Sequence, residues 1–77
     1  MNEYLAHVPK EIGNAIRHRR QEMKLTQAEA AALCKVGIRF LSELENGKPT
    51  LHLGKVMQVL HAFGLMTVLK RKGVTNA

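Results

Sequence analysis

Residues 25–48 read LTQAEAAALCKVGIRFLSELENGK, and this stretch decides the fold. Thr26-Gln27-Ala28-Glu29 has the pattern of a capping box, in which the Thr hydroxyl takes one orphan N–H and Glu29 reaches back to the backbone. The helix it opens is short and rich in alanine, from Ala28 to Cys34, and small side chains let a second helix approach closely. Lys35-Val36-Gly37 reads as a tight turn. A further helix runs from about Ile38 to Glu45, with Phe40, Leu41 and Leu44 on one side and Ile38, Arg39, Ser42 and Glu43 on the other. Asn46-Gly47 is a strong stop, since both residues tolerate the left-handed conformation. Two short helices across a three-residue turn are the pattern of a helix-turn-helix, whose second helix can enter the major groove.

The flanks extend this unit. Upstream, Pro9 suits a first helical position, where its missing N–H is no loss. The helix is expected to continue to about Lys24, with Ile12, Ala15, Ile16 and Met23 on one face and Gly13 as a mild weakness. Downstream, Thr50 is a plausible N-cap for a helix from Leu51 to Phe63. Leu53, Val56, Met57, Leu60 and Phe63 form its expected buried stripe, and Gly64 stands where a left-handed terminator belongs. Leu65-Met66-Thr67-Val68-Leu69 then changes to an apolar, partly β-branched run that reads as one strand. Tyr4 to Val8 is a weaker strand candidate, and Val74 to Ala77 is expected to be loose.

Composition limits the function. A chain of 77 residues holds one domain with a small core. Twelve Lys and Arg against six Asp and Glu give a net charge of +6, which points to a polyanion, nucleic acid before membrane. Apolar runs are too short for a membrane span, and residues 1–8 lack the pattern of a signal peptide. One cysteine, Cys34, allows no internal disulfide and fits a reducing cytosol; it is expected to be a small buried hydrophobe. His7, His18, His52 and His61 have no metal-ligand spacing, and no catalytic set or phosphate-binding glycine loop appears. Neither an enzyme nor a cofactor site is therefore expected.

The segments Ile16-Arg17-x-x-Arg20, Leu25-Thr26-Gln27-Ala28-Glu29-Ala30-Ala31 and Leu41-Ser42-x-Leu44-Glu45-Asn46-Gly47-Lys48 resemble the Xre/Cro/phage-repressor helix-turn-helix family over about residues 10–65. Three positions depart from the pattern: Lys35 replaces a usual Gly, Gly37 a usual Ser or Thr, and Ala30 a usual Leu. The resemblance implies an all-α, lambda-repressor-like domain of four to five helices over residues 9–64. A C-terminal β-strand within residues 65–72 would pair across a dimer. Pro9-Lys10-Glu11-Ile12-Gly13 and residues 40–50 look especially similar to the HipB-type antitoxins. This subgroup consists of small operator-binding dimers that repress their own operon and bind a HipA-like serine/threonine kinase toxin.

Candidate site residues follow. The helical wheel turns Ile38, Arg39, Ser42 and Glu43 outward, and the resemblance marks 38, 39 and 43 as base-facing. Arg39 can donate twice to guanine, Glu43 can accept from cytosine N4, and Ile38 can pack on a thymine methyl. Gln27, in the first turn of its helix, can hold a phosphate together with nearby N–H groups. The resemblance says the same of Gln27, Asn46 and Lys48, and Lys35 in the turn is placed to reach a phosphate. The resemblance also implies that Arg20 pairs with Glu45. Arg17 and Lys24 read as ordinary solvated charges, and Arg19 as a snorkelling side chain. Leu65, Met66, Thr67, Val68 and Leu69 are the candidate dimer contacts, because a lone strand leaves its backbone groups unpaired. The expected partners are a palindromic duplex operator, a second copy and a HipA-like kinase, with a cytoplasmic, nucleoid-associated location and no membrane. A stand-alone Xre-type regulator without a toxin is the alternative. A protein-binding adaptor and a membrane-surface peptide are weaker rivals.

Overall fold

The computed structural model describes residues 9–66 and residue 68. Those residues form four helices, α1 (Pro9–Glu22), α2 (Gln27–Cys34), α3 (Ile38–Glu45) and α4 (Leu53–Ala62), and contain no strand. The expected strand at 65–69 includes Thr67 and Leu69, which lie outside the described residues, as do residues 1–8 and 70–77. Helices α1 and α2 both pack on α3, and α2 also meets α4.

Each helix has an identifiable beginning and end. At α2 the capping box is complete: Glu29 N–H donates to Thr26 Oγ1 at 3.1 Å, and Thr26 N–H donates to Glu29 Oε1 at 2.8 Å. The Thr26 backbone N–H, and after it the Thr26 side chain, hold the Glu29 carboxyl below its usual range. Every helix is followed by a left-handed residue: Lys24 (φ 58°), Lys35 (φ 59°), Gly47 (φ 81°) and Gly64 (φ 73°). The two glycine stops are visible in the sequence. The lysine stops are not, which is why α1 ends at Glu22 and not at Lys24. There the Leu25 N–H closes on the Arg20 carbonyl at 3.2 Å.

Helix α4 departs most from expectation. It begins at Leu53, and its N-cap is His52, whose Nδ1 accepts from the Lys55 N–H at 3.3 Å; Thr50 lies in a turn before it. Gly54 leaves room for the His52 ring, since a Cβ there would lie 3.0 Å from Cε1. The buried arc is correspondingly different. Leu53 and Met57, expected inside, are 72% and 45% exposed, while Val59 is fully buried beside Phe63. A ten-residue helix against so small a core buries only a narrow arc, through Val56, Val59, Leu60 and Phe63.

The core gathers Ile16, Ala30, Ala31, Cys34, Leu41, Leu44, Val59 and Phe63. Ala30 and Ala31 bring α2 close to its neighbours, and Cys34 is buried as expected, with burial pushing its thiol up. Each large aliphatic or aromatic residue here contributes about 1.5–3 kcal/mol through burial. Gly13 proves more than a weak point in α1. A Cβ at this position would lie 2.4 Å from the Leu44 carbonyl oxygen and 2.6 Å from that of Glu45. Only a glycine lets α1 lie directly on the C-terminal end of α3.

Candidate nucleic-acid interface

The turn between α2 and α3 is fixed from both sides. Val36 N–H donates to the Ala31 carbonyl at 3.0 Å, closing α2 around the left-handed Lys35. From α4, Gln58 Nε2 donates to the Cys34 carbonyl at 2.6 Å and the Lys35 carbonyl at 3.4 Å. These last carbonyls of α2 have no intrahelical partner, and Gln58 satisfies them. Helix α3 then leaves Gly37, an N-cap with no side chain to contribute.

The inner end of α3 is locked by a buried carboxylate. The Glu45 side chain is wholly inaccessible to solvent. Arg20 donates to it from Nε at 2.6 Å and from Nη2 at 3.1 Å, a bidentate geometry. Gln27 Nε2 adds a bond at 3.1 Å, and Arg17 Nε lies 3.5 Å away. Burial alone would push the Glu45 carboxyl up. The hydrogen bonds from Arg20 and Gln27, with the Arg20 charge, outweigh it and hold the group below its usual range. Arg20 is correspondingly raised, chiefly by the same bond, and its Nη1 also caps the Leu25 carbonyl at 2.9 Å. The Arg20–Glu45 pair implied by the family pattern is therefore present.

Arg17 is not the free surface charge its sequence position suggests. Its Nη2 donates to Asn46 Oδ1 at 3.0 Å. That bond assigns the Asn46 amide, turning its NH2 group away from Arg17. Arg19 does more than snorkel: its Nε donates to the Phe63 carbonyl at 3.0 Å and its Nη1 lies 3.6 Å from Glu22. A cation thus sits at the C-terminal end of α4, where the helix dipole favours it.

The outer edge of α3 carries the four expected base-facing positions. Ile38 is 52% exposed, and the Arg39 side chain is 90% exposed. Ser42 and Glu43 are half-buried on the same edge. Glu43 Oε2 lies 3.7 Å from Arg39 Nε and 3.2 Å from Lys48 Nζ. Of the expected phosphate contacts, Gln27 commits one amide hydrogen to Glu45 and keeps a second. Lys35, Asn46 and Lys48 are exposed around the two ends of α3. The arrangement collects cationic and amide donors at the rim of one protruding helix edge. Among the dimer candidates, Leu65 packs partly on the core, whereas Met66 and Val68 are largely exposed. Among the described residues no group of three or more His, Cys, Asp or Glu side chains gathers to hold a metal, and no helix is long and apolar enough to cross a membrane.

Comparison with known proteins places these features. The family model described as helix-turn-helix matches residues 16–68. The HTH-type transcriptional regulator y4mF of Sinorhizobium fredii is 48% identical over 56 residues, 73% of this chain and 74% of that protein. Among solved structures, a HipB variant in complex with an O2 20mer superposes with a TM-score of 0.80 at 24% identity, covering 92% of this chain and 99% of that one. A HipA-HipB-O2-O3 complex contains a chain matching with a TM-score of 0.77 at 24% identity, over 88% and 96% of the two chains. At that identity the likeness is one of fold.

Proposed function

The chain belongs to the helix-turn-helix family of DNA-binding transcriptional regulators, and from this premise we propose that it is a sequence-specific repressor acting as a HipB-like antitoxin. It would repress its own operon and neutralise a HipA-like kinase. The observation that carries the DNA half of this reading is the contrast between the two sides of α3. One side is fixed rigidly through Glu45, and the other presents Ile38, Arg39, Ser42 and Glu43 to solvent within a chain of net charge +6. In the complex Arg39 donates to guanine, and Ile38, Ser42 and Glu43 meet neighbouring base edges. Gln27, Lys35, Asn46 and Lys48 hold phosphates.

The antitoxin half is supported by the likeness in fold to HipB, in structures that include one with HipA. In this reading residues 9–64 are the DNA-binding domain. Residues 65–72 carry the dimer strand, with Leu65, Met66, Thr67, Val68 and Leu69 pairing with a second copy across a palindromic operator, in the cytoplasm at the nucleoid. The relative y4mF is named as an HTH-type transcriptional regulator, and the second reading is a stand-alone regulator of that kind.

A palindromic duplex recovered from a random library by repeated binding and amplification tests the DNA half. Arg39→Ala should lose about 1–3 kcal/mol of discrimination at one base pair per half-site, whereas Lys35→Gly, which removes a phosphate contact, should weaken all sequences alike. Equal behaviour of the two variants would refute the assignment. Co-purification with a kinase encoded beside the gene separates antitoxin from stand-alone regulator. Truncation after Gly64 should give a monomer with sharply lower operator affinity; an intact dimer would place the interface elsewhere.

A further inference from the structure

We propose that Glu43 determines specificity by changing partner on operator binding: its carboxylate passes from Lys48 to a cytosine amino group, and only then does Lys48 reach a phosphate. The inference rests on the DNA-binding reading above and adds a coupling between base and backbone recognition. Three observations lead to it. Both cations meet the same oxygen, Glu43 Oε2, with Lys48 Nζ at 3.2 Å and Arg39 Nε at 3.7 Å. The pairing is built into the backbone, because the Lys48 N–H donates to the Glu43 carbonyl at 3.1 Å where α3 closes around Gly47. And this carboxylate stands on the solvent-facing edge of α3, beside the exposed Ile38 and Arg39 that the proposed function assigns to bases.

A carboxylate there repels every phosphate. Its favourable DNA partners are the amino donors of the major groove, and cytosine N4 is the donor that acidic side chains accept from. Off the correct sequence, Glu43 keeps Lys48 and draws on Arg39, so two cations act with one anion between them. On the correct sequence the cytosine amino group satisfies Glu43 and Lys48 is released. Partly exposed ion pairs are weak, and lysine is a compact charge on a flexible stem, so this exchange meets little resistance. The carboxylate thus suppresses binding to arbitrary DNA and makes one phosphate contact conditional on one base.

Salt dependence reads this directly, because each phosphate contact adds about 0.9 to the slope of log affinity against log salt. Fluorescence anisotropy would compare wild type, Glu43→Ala and Lys48→Ala on the selected palindrome and on a shuffled duplex, between about 50 and 200 mM salt. The wild type should show a slope steeper on the palindrome by roughly one per half-site. Glu43→Ala should erase that difference and strengthen binding to the shuffled duplex by roughly threefold or more. Lys48→Ala should erase the difference without strengthening either complex. The proposal is overturned if the wild type has equal slopes on both duplexes, or if Glu43→Ala keeps the difference or weakens both duplexes equally. A wild type that binds neither duplex overturns the DNA-binding reading, and the coupling with it.

Discussion

Two glutamates stand two residues apart on α3, and their surroundings differ in almost every respect. Glu45 faces inward, has no solvent contact and receives Arg20, Gln27 and Arg17. Glu43 faces outward, is 29% exposed and touches Lys48 and Arg39. The local chemistry is similar, a carboxylate between cations. Burial decides what it does. In a low-dielectric setting the groups around Glu45 cannot be exchanged for water, so the pair fixes α1 against α3. At the outer edge water competes, and in the proposed function DNA does too, so the same kind of pair can open.

The largest test of this contrast is Arg20→Ala. Leaving the Glu45 charge buried and unpaired should cost about 3–5 kcal/mol of stability, measured by urea unfolding. A loss below about 1 kcal/mol would mean that water reaches Glu45 and that the two glutamates are alike. Acid sharpens the same point. The folded-state pKa of Glu45 is depressed, so its contribution is fully present above the unfolded value of about 4.3 and is lost as pH falls through the folded value. Stability should therefore fall with acid below that range, and Glu45→Gln should flatten this limb of the curve. An unchanged limb in the variant would assign the acid sensitivity to another group.

Gly13→Ala comes next. The added methyl meets two backbone carbonyls that cannot swing aside, so a net loss of roughly 1–3 kcal/mol is expected despite the better helix propensity of alanine. A stabilised variant in thermal melts would show that the α1–α3 joint has slack. Lys35→Gly should act in the opposite direction. Its left-handed backbone suits glycine, and a gain of about 1 kcal/mol is expected, together with weaker DNA binding if the ammonium holds a phosphate. The smallest effect belongs to Glu43→Ala, which should alter stability by no more than about 0.5 kcal/mol. A larger loss would place Glu43 with Glu45 as a structural group.

Legibility in the sequence followed the range of the interaction. The Thr26–Glu29 box and the stop at Gly47 depend on residues within a few positions, and both were readable from residue type and spacing. The α4 start was misplaced because Thr50 and His52 can both cap, and Gly54 decides between them by admitting the imidazole ring. The roles of Gly13, Arg17 and Gln58 depend on partners 23 to 32 residues away along the chain. No local pattern marks them. Arg20 and Glu45 are 25 residues apart and were legible only through the family pattern. The outer edge of α3 was placed correctly by helical geometry, but its ion pairs were not, since the Lys48 side chain returns to Glu43 only after the chain has turned at Gly47.

Where Gly13 meets the end of α3, backbone lies on backbone with no side chain between. A joint of that kind has no rotamers, so it cannot be tilted by small substitutions. Its parts are also distinct from positions 38, 39, 42 and 43, which make no contribution to it. Heredity can therefore rewrite those four letters and leave the joint untouched, and if they read bases as proposed, a lineage carrying this fold acquires a new address on the chromosome without first learning to fold again.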